Sequence, residues 1–148
     1  MFRKHWILAI ASVAMTAASL QAGTFGTVVP IGGAAADLAL DPLRGVLYIA
    51  NFTANRIDVM TLSNNAVQTS INVPSQPSSI SISPDAHWLL VANYGNNTTG
   101  SSTNALTLID LTNANAMQTF TVANPPLSVA FGLDDNAQIG RASCRERV

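Results

Sequence analysis

Acid–base or metal chemistry in this sequence would have to come from few side chains. Between residue 22 and the last ten residues there is one histidine, His87, and seven aspartates: Asp37, Asp41, Asp58, Asp85, Asp110, Asp134 and Asp135. Two carboxylates brought together across a fold serve as general acid and base or as hard-metal ligands, and an imidazole serves as a base when a partner orients it. The local context points elsewhere. Asp85 and Asp134 stand 49 positions apart in matching turn segments, and Asp110 closes an apolar alternation, so these carboxylates read as turn residues that bond nearby backbone N–H groups. His87 follows Ser83-Pro84-Asp85-Ala86 in a hairpin turn and, with no partner in its own segment, reads as a solvated turn residue. No catalytic, cofactor-binding or metal-ligating constellation is identifiable, and no cofactor is implied. Enzyme status stays open, with the balance against.

Recognition has better candidates. Asn51-Phe52 follows Ile49-Ala50, and Asn93-Tyr94 follows Val91-Ala92, each at the end of an apolar run. The asparagines read first as architecture, because a repeated amide at a strand end bonds the adjoining loop backbone. Phe52 and Tyr94 read first as packing aromatics. Together with Asn96 and Asn97, which open the polar stretch reaching Thr103, these residues form a candidate ligand or partner surface. Asn51-Phe-Thr53 and Asn97-Thr-Thr99 also fit the glycosylation sequon, a short motif frequent by chance in an Asn/Thr-rich chain.

The elements that must carry these residues are set by a repeat. Leu38-Ala-Leu-Asp-Pro-Leu-Arg-Gly-Val-Leu-Tyr-Ile-Ala-Asn51 returns as Ile80-Ser-Ile-Ser-Pro-Asp-Ala-His-Trp-Leu-Leu-Val-Ala-Asn93, 42 positions on. Asn55-Arg-Ile-Asp-Val-Met-Thr-Leu-Ser-Asn64 matches Asn104-Ala-Leu-Thr-Leu-Ile-Asp-Leu-Thr-Asn113 at a spacing of 49, so the second copy carries a longer loop at Thr98 to Thr103. A third copy begins at Pro126. Such a period belongs to propeller blades. Apolar residues alternate within each copy, as in Leu38/Leu40, Leu47/Ile49, Ile57/Val59, Ile80/Ile82, Leu89/Val91 and Leu106/Leu108, which predicts half-buried strands. Asp41-Pro42, Ser63-Asn64-Asn65, Ser83-Pro84-Asp85 and Asn113-Ala-Asn115 supply turns between them. Each copy therefore predicts four short antiparallel strands, with almost no helix.

Leu47-Tyr-Ile-Ala-Asn51 and Leu90-Val-Ala-Asn-Tyr-Gly-Asn-Asn97, with Ser83-Pro-Asp85 before and Leu106-Thr-Leu-Ile-Asp110 after, resemble the YVTN-type β-propeller repeat over roughly residues 34 to 138. The resemblance implies an all-β propeller of four-stranded antiparallel blades, with copies at about 34–76 and 77–125 and a third starting at 126–138. It departs from the pattern at Asp41-Pro-Leu43 and at Leu90, and the third copy stops after its first strand. It also reaches lactonase-type and quinoprotein-like enzymes, whose functional residues converge from several blades and match no motif here. A propeller ring needs about four to eight blades, so the sequence reads as an N-terminal fragment whose missing downstream blades are its first partner. An extracytoplasmic binding scaffold for an unknown protein or small molecule is the leading expectation, with a propeller enzyme or a cell-surface structural module as alternatives.

Both ends read as separate. Phe2-Arg-Lys-His5, the apolar run Trp6 to Met15 and the small-residue stretch ending Leu20-Gln-Ala22 have the three parts of a secretory signal peptide over 1–22, which predicts a secreted or periplasmic protein with no membrane span after cleavage. Ile139-Gly-Arg-Ala-Ser-Cys-Arg-Glu-Arg-Val148 breaks from the repeat composition and resembles the conceptual translation of a short-read sequencing adapter, so 139–148 is read as non-native. Without these ends, Arg44 and Arg56 face seven aspartates, a net charge of −5. That acidity excludes the basic footprint of a nucleic-acid binder. The only cysteine lies in the tail, which leaves neither a disulfide framework nor a thiolate site.

Overall fold

The structure, a computed structural model, describes residues 26, 28–95, 103–133 and 136–141. The leader over 1–22, Asn96, Asn97, Asp134, Asp135 and residues 142–148 lie outside the described residues. Ten strands are described: β1 (Ala35–Asp41), β2 (Val46–Asn51), β3 (Arg56–Thr61), β4 (Ala66–Asn72), β5 (Pro77–Ile82), β6 (Trp88–Asn93), β7 (Ala105–Asp110), β8 (Ala116–Thr121), β9 (Pro126–Phe131) and β10 (Ala137–Arg141). They form two four-stranded sheets ordered β1-β2-β3-β4 and β5-β6-β7-β8, then the pair β9-β10, with every pairing antiparallel. The fold is all-β: two complete propeller blades and the start of a third, with no helix among the described residues.

The turns follow from residue chemistry. Asn55, Asn65 and Asn115 take left-handed φ values of 55°, 52° and 60°, a region asparagine tolerates because its short amide bonds the local backbone. Ala86 and Ala114 adopt the same region at φ 55° and 49° without that compensation. One end of each blade carries the β2–β3 and β6–β7 connections after Asn51 and Asn93. The opposite end carries the β1–β2, β5–β6 and β7–β8 turns.

The main core lies between the two blades. Tyr48, Ala50, Ile57 and Ile71 of blade 1 pack on Ile80, Leu89, Val91 and Ile109 of blade 2. A second cluster joins Leu90, Ala92 and Leu106 of blade 2 to Val129 and Phe131 of β9. Burial of a Leu or Ile side chain stabilises by about 1.5–3 kcal/mol, so these two interfaces supply the dominant favourable term. The alternation Leu38/Leu40 does not give the half-buried face it predicts. Leu38 and Leu40 are 56% and 52% exposed, whereas their repeat counterpart Ile80 is 5% exposed and Ile82 packs against the same core. Blade 1 covers the β5 pair, and among the described residues no blade stands on the other side of β1.

Polar contacts repeat the same relation between blades. Asp37 Oδ2 accepts bonds from Ser79 Oγ at 2.8 Å and Ile80 N at 2.9 Å, and Ser79 Oγ, 42 positions after Asp37, accepts one from Val129 N at 3.3 Å. The first strands of successive sheets, β1, β5 and β9, are thus tied in sequence. The third copy has a second strand, β10, where one strand was expected. It crosses the composition break after Gln138, pairing Ile139 with Val129 and Gly140 with Ser128. Backbone pairing needs only N–H and C=O groups, so it does not depend on the origin of the side chains. The hairpin is one residue shorter than in blade 2: Phe131 faces Ala137 where Ile82 faces Leu89. Between blade 2 and this hairpin lies a groove of about 430 Å³ lined by Trp88, Leu106, Leu108, Phe120, Phe131 and Ile139.

Candidate functional site

At the asparagine end, the two repeat asparagines are fully buried anchors. Asn51 Nδ2 donates to Asp58 Oδ2 at 2.8 Å and to Ile31 O at 3.2 Å, while its Oδ1 accepts from Ala54 N at 3.2 Å within the tight β2–β3 turn. Asp58, also buried, accepts from Arg56 Nε at 2.6 Å, and Arg56 Nη2 reaches Ile31 O at 3.3 Å. Blade 2 builds the same ladder without charge: Asn93 Nδ2 donates to Thr107 Oγ1 at 2.9 Å, which lies 3.3 Å from Thr119 Oγ1.

One residue beyond each anchor, the backbone is held in repeat-equivalent fashion: Phe52 N donates to Ala34 O and Tyr94 N to Gln76 O, both at 2.8 Å. This brings the half-buried rings of Phe52 and Tyr94 together, centroids 6.4 Å apart at 47°. The expected surface residues Asn51, Phe52, Asn93 and Tyr94 therefore share one end. The asparagines are buried supports beneath it and the aromatics its accessible part. Asn93 Oδ1 and Asn104 Oδ1 are buried with no hydrogen-bond partner among the described residues, a feature the repeat alone did not reveal.

The opposite end gathers most of the charge. Arg44 Nη1 pairs with buried Asp41 Oδ2 at 2.7 Å and also donates to Ala86 O at 2.7 Å, spanning blades 1 and 2. The bond from Asp41 raises the Arg44 pKa above its ordinary value. His87 was expected to lack partners, but Asp110 and Thr112 come to it from the β7–β8 turn. Thr112 Oγ1 donates to Asp110 Oδ1 at 2.7 Å and lies 2.8 Å from His87 Nε2. With the hydroxyl proton committed to the carboxylate, His87 Nε2–H is the donor, and Nδ1 faces Asp85 Oδ2 at 4.0 Å. The ring stacks on Trp88 at 4.7 Å. The Ser83 hydroxyl first, then the His87 backbone N–H, hold the Asp85 carboxyl below its ordinary value, and the Thr112 hydroxyl does the same for Asp110.

This cluster is a turn staple. Its hydroxyls and carboxylates bond one another and nearby backbone N–H groups, and the pairing of residues 87 and 110 across two hairpins was invisible in a segment-by-segment reading. Among the described residues no group of three or more His, Cys, Asp or Glu side chains is placed to hold a metal ion. Each described candidate aspartate is engaged: Asp37 between blades, Asp41 and Asp58 with arginines, Asp85 and Asp110 in the staple.

The chain is similar to known β-propellers in fold. Hydrazine synthase of Kuenenia stuttgartiensis superposes with a TM-score of 0.65 at 16% identity, over 82% of this chain and 33% of that one. The β-propeller domain of Cps50 (Swd1) from Myceliophteria thermophila gives 0.57 at 15% identity, over 71% and 31%. A functionally unknown protein from Desulfotomaculum acetoxidans gives 0.57 at 17% identity, over 74% and 36%. The chain spans about a third of the length of these structures. No family model and no curated protein matches the sequence.

Proposed function

We propose that this chain is part of an extracytoplasmic YVTN-type propeller that binds a ligand or protein partner through the asparagine end of its ring. The observation that carries the reading is the Phe52–Tyr94 pair: two partly accessible aromatics from adjacent blades, each fixed by an equivalent backbone bond above a buried asparagine. Rigid aromatic anchors on a supported scaffold lose little conformational freedom when a partner arrives. The signal-like first 22 residues support export. Further blades of the same polypeptide cover Leu38 and Leu40 and fill the groove at Phe120, which gives the scaffold its closed ring.

The test compares the intact protein, carrying all its blades, with a Phe52→Ala/Tyr94→Ala double variant for cosedimentation with the envelope fraction of the source cells. The reading predicts that both forms are exported and that the variant loses at least about tenfold in retention. Equal retention, or wild-type protein left in the cytoplasm, overturns it.

A further inference from the structure

We infer that the groove between blade 2 and the β9–β10 hairpin is the seat of one strand, which runs antiparallel along the free edge of β10 and lodges two aliphatic side chains, two positions apart, against Phe120. Its source is the segment of the same polypeptide that follows the second strand of the third copy. This rests on the reading that further blades follow, and it says which element enters the groove and what that element must carry.

The two blade faces give the argument. Val46, Ile57, Val59 and Ile71 of blade 1 return as Trp88, Leu106, Leu108 and Phe120 of blade 2, 42 or 49 positions on. The blade 1 face is closed by three successive strands: Ile80 and Ile82 come from β5, Leu89 and Val91 from β6, and Ile109 from β7 with Leu111 just beyond it. On the blade 2 face, Val129 and Phe131 of β9 take the places of Ile80 and Ile82, 49 positions on, and β10 supplies the second strand. Among the described residues nothing takes the places of Ile109 and Leu111. The consequence falls on the outer strand: Ile71 is 8% exposed, whereas Phe120, its counterpart, is 52% exposed.

The chemistry of the occupant follows from both walls. Trp88, Leu106, Leu108 and Phe120 are apolar, and Asp85 at the margin already accepts from Ser83 Oγ and His87 N. A charged group entering there would lose its water without gaining a partner. β10 pairs with β9 alone, so its other edge presents unpaired N–H and C=O groups that an extended backbone satisfies. Blade 2 shows the completed form, with Leu89 of β6 facing Ile109 of β7 and Leu111 two positions on. Ile139 in the groove belongs to the segment read as non-native, and the blade 2 wall does not depend on it.

The test uses the intact protein with all its blades and two single variants of β8, Phe120→Cys and Met117→Cys, labelled with N-ethylmaleimide against the wild-type background. Met117 is 48% exposed but lies on the opposite face, paired with Ile109 towards blade 1, whose neighbour is already in place. Met117→Cys should react as an open thiol, and Phe120→Cys at least about tenfold more slowly until the protein is unfolded. Equal native rates overturn the inference. Phe120→p-benzoylphenylalanine then identifies the occupant: irradiation should link position 120 to the strand that follows β10 in the same chain, at or beside an aliphatic residue. A link to a second copy, to another protein or to a different blade overturns it. If either result fails while the Phe52/Tyr94 variant still loses envelope retention, the strand assignment falls and the recognition face stands.

Discussion

Blades 1 and 2 share a repeat yet differ in burial and in the charge of their buried ladders, and the two differences have separate causes. Leu38 and Ile80 hold the same place in the repeat, but one is 56% exposed and the other 5%. Their residue types do not account for this. Burial of a blade face comes from the neighbouring blade, as expected when each repeat contacts only those beside it. The ladders differ because the residues differ: Asn51 rests on Asp58 and Arg56, whereas Asn93 rests on Thr107. In blade 1 both ends of the Asn51 amide are bonded, through Asp58 and a short turn. The blade 2 ladder is uncharged, and among the described residues Asn93 Oδ1 and Asn104 Oδ1 have no hydrogen-bond partner.

The largest expected effect sharpens the first difference. If further blades close the ring, Leu38→Ala in the intact protein should cost about as much as Ile80→Ala, each about 2–5 kcal/mol by denaturant unfolding. A Leu38→Ala cost within about 0.5 kcal/mol, the range of surface changes, would break the equivalence. The ladders come next. Asp58→Ala removes the carboxylate that accepts two bonds, one of them an ion pair with Arg56, and should cost about 2–3 kcal/mol. Thr107→Val in blade 2 removes a neutral partner and should cost about 1–2 kcal/mol. Equal values for the two would show that charge adds nothing to the blade 1 anchor.

Smaller effects belong to the turns. Ala114 sits exposed at φ 49°, so Ala114→Gly should stabilise by about 0.5–1 kcal/mol, read as a rise in melting temperature. The staple around His87 should show a slight acid dependence. Asp85 and Asp110 have folded-state pKa values below the ordinary 3.8. Their contribution is therefore present above pH 3.8 and is lost as pH falls below it through the folded values. Ser83→Ala should reduce this loss, measured as melting temperature against pH; an unchanged profile would remove Asp85 from the account.

What the sequence made legible follows the same division. Repeat spacing and alternation gave the strands, their antiparallel order and the shared end of Asn51, Phe52, Asn93 and Tyr94, because these depend on residues close in the chain. Exposure of Leu38 and Leu40 was not legible, since it depends on a neighbour rather than on the strand itself. The partners of His87 were hidden because Asp110 and Thr112 lie in another hairpin. The bare Asn104 Oδ1 left a readable trace in Pro125, which has no N–H and stands 49 positions after Gln76, whose N–H bonds Asn55 Oδ1 in blade 1. Strand β10 was missed because Gln138 to Arg141 carries no alternation, and an edge strand can pair through backbone alone.

The most direct test of the proposal that both outer faces of this chain meet further blades is the solution state of residues 23–138 produced alone. Sedimentation velocity combined with a thermal melt should show association or aggregation without a sharp transition, because Leu38, Leu40 and Phe120 remain uncovered. A soluble monomer with a single cooperative melt would contradict the account, since two blades and a fraction would then be stable with their faces open.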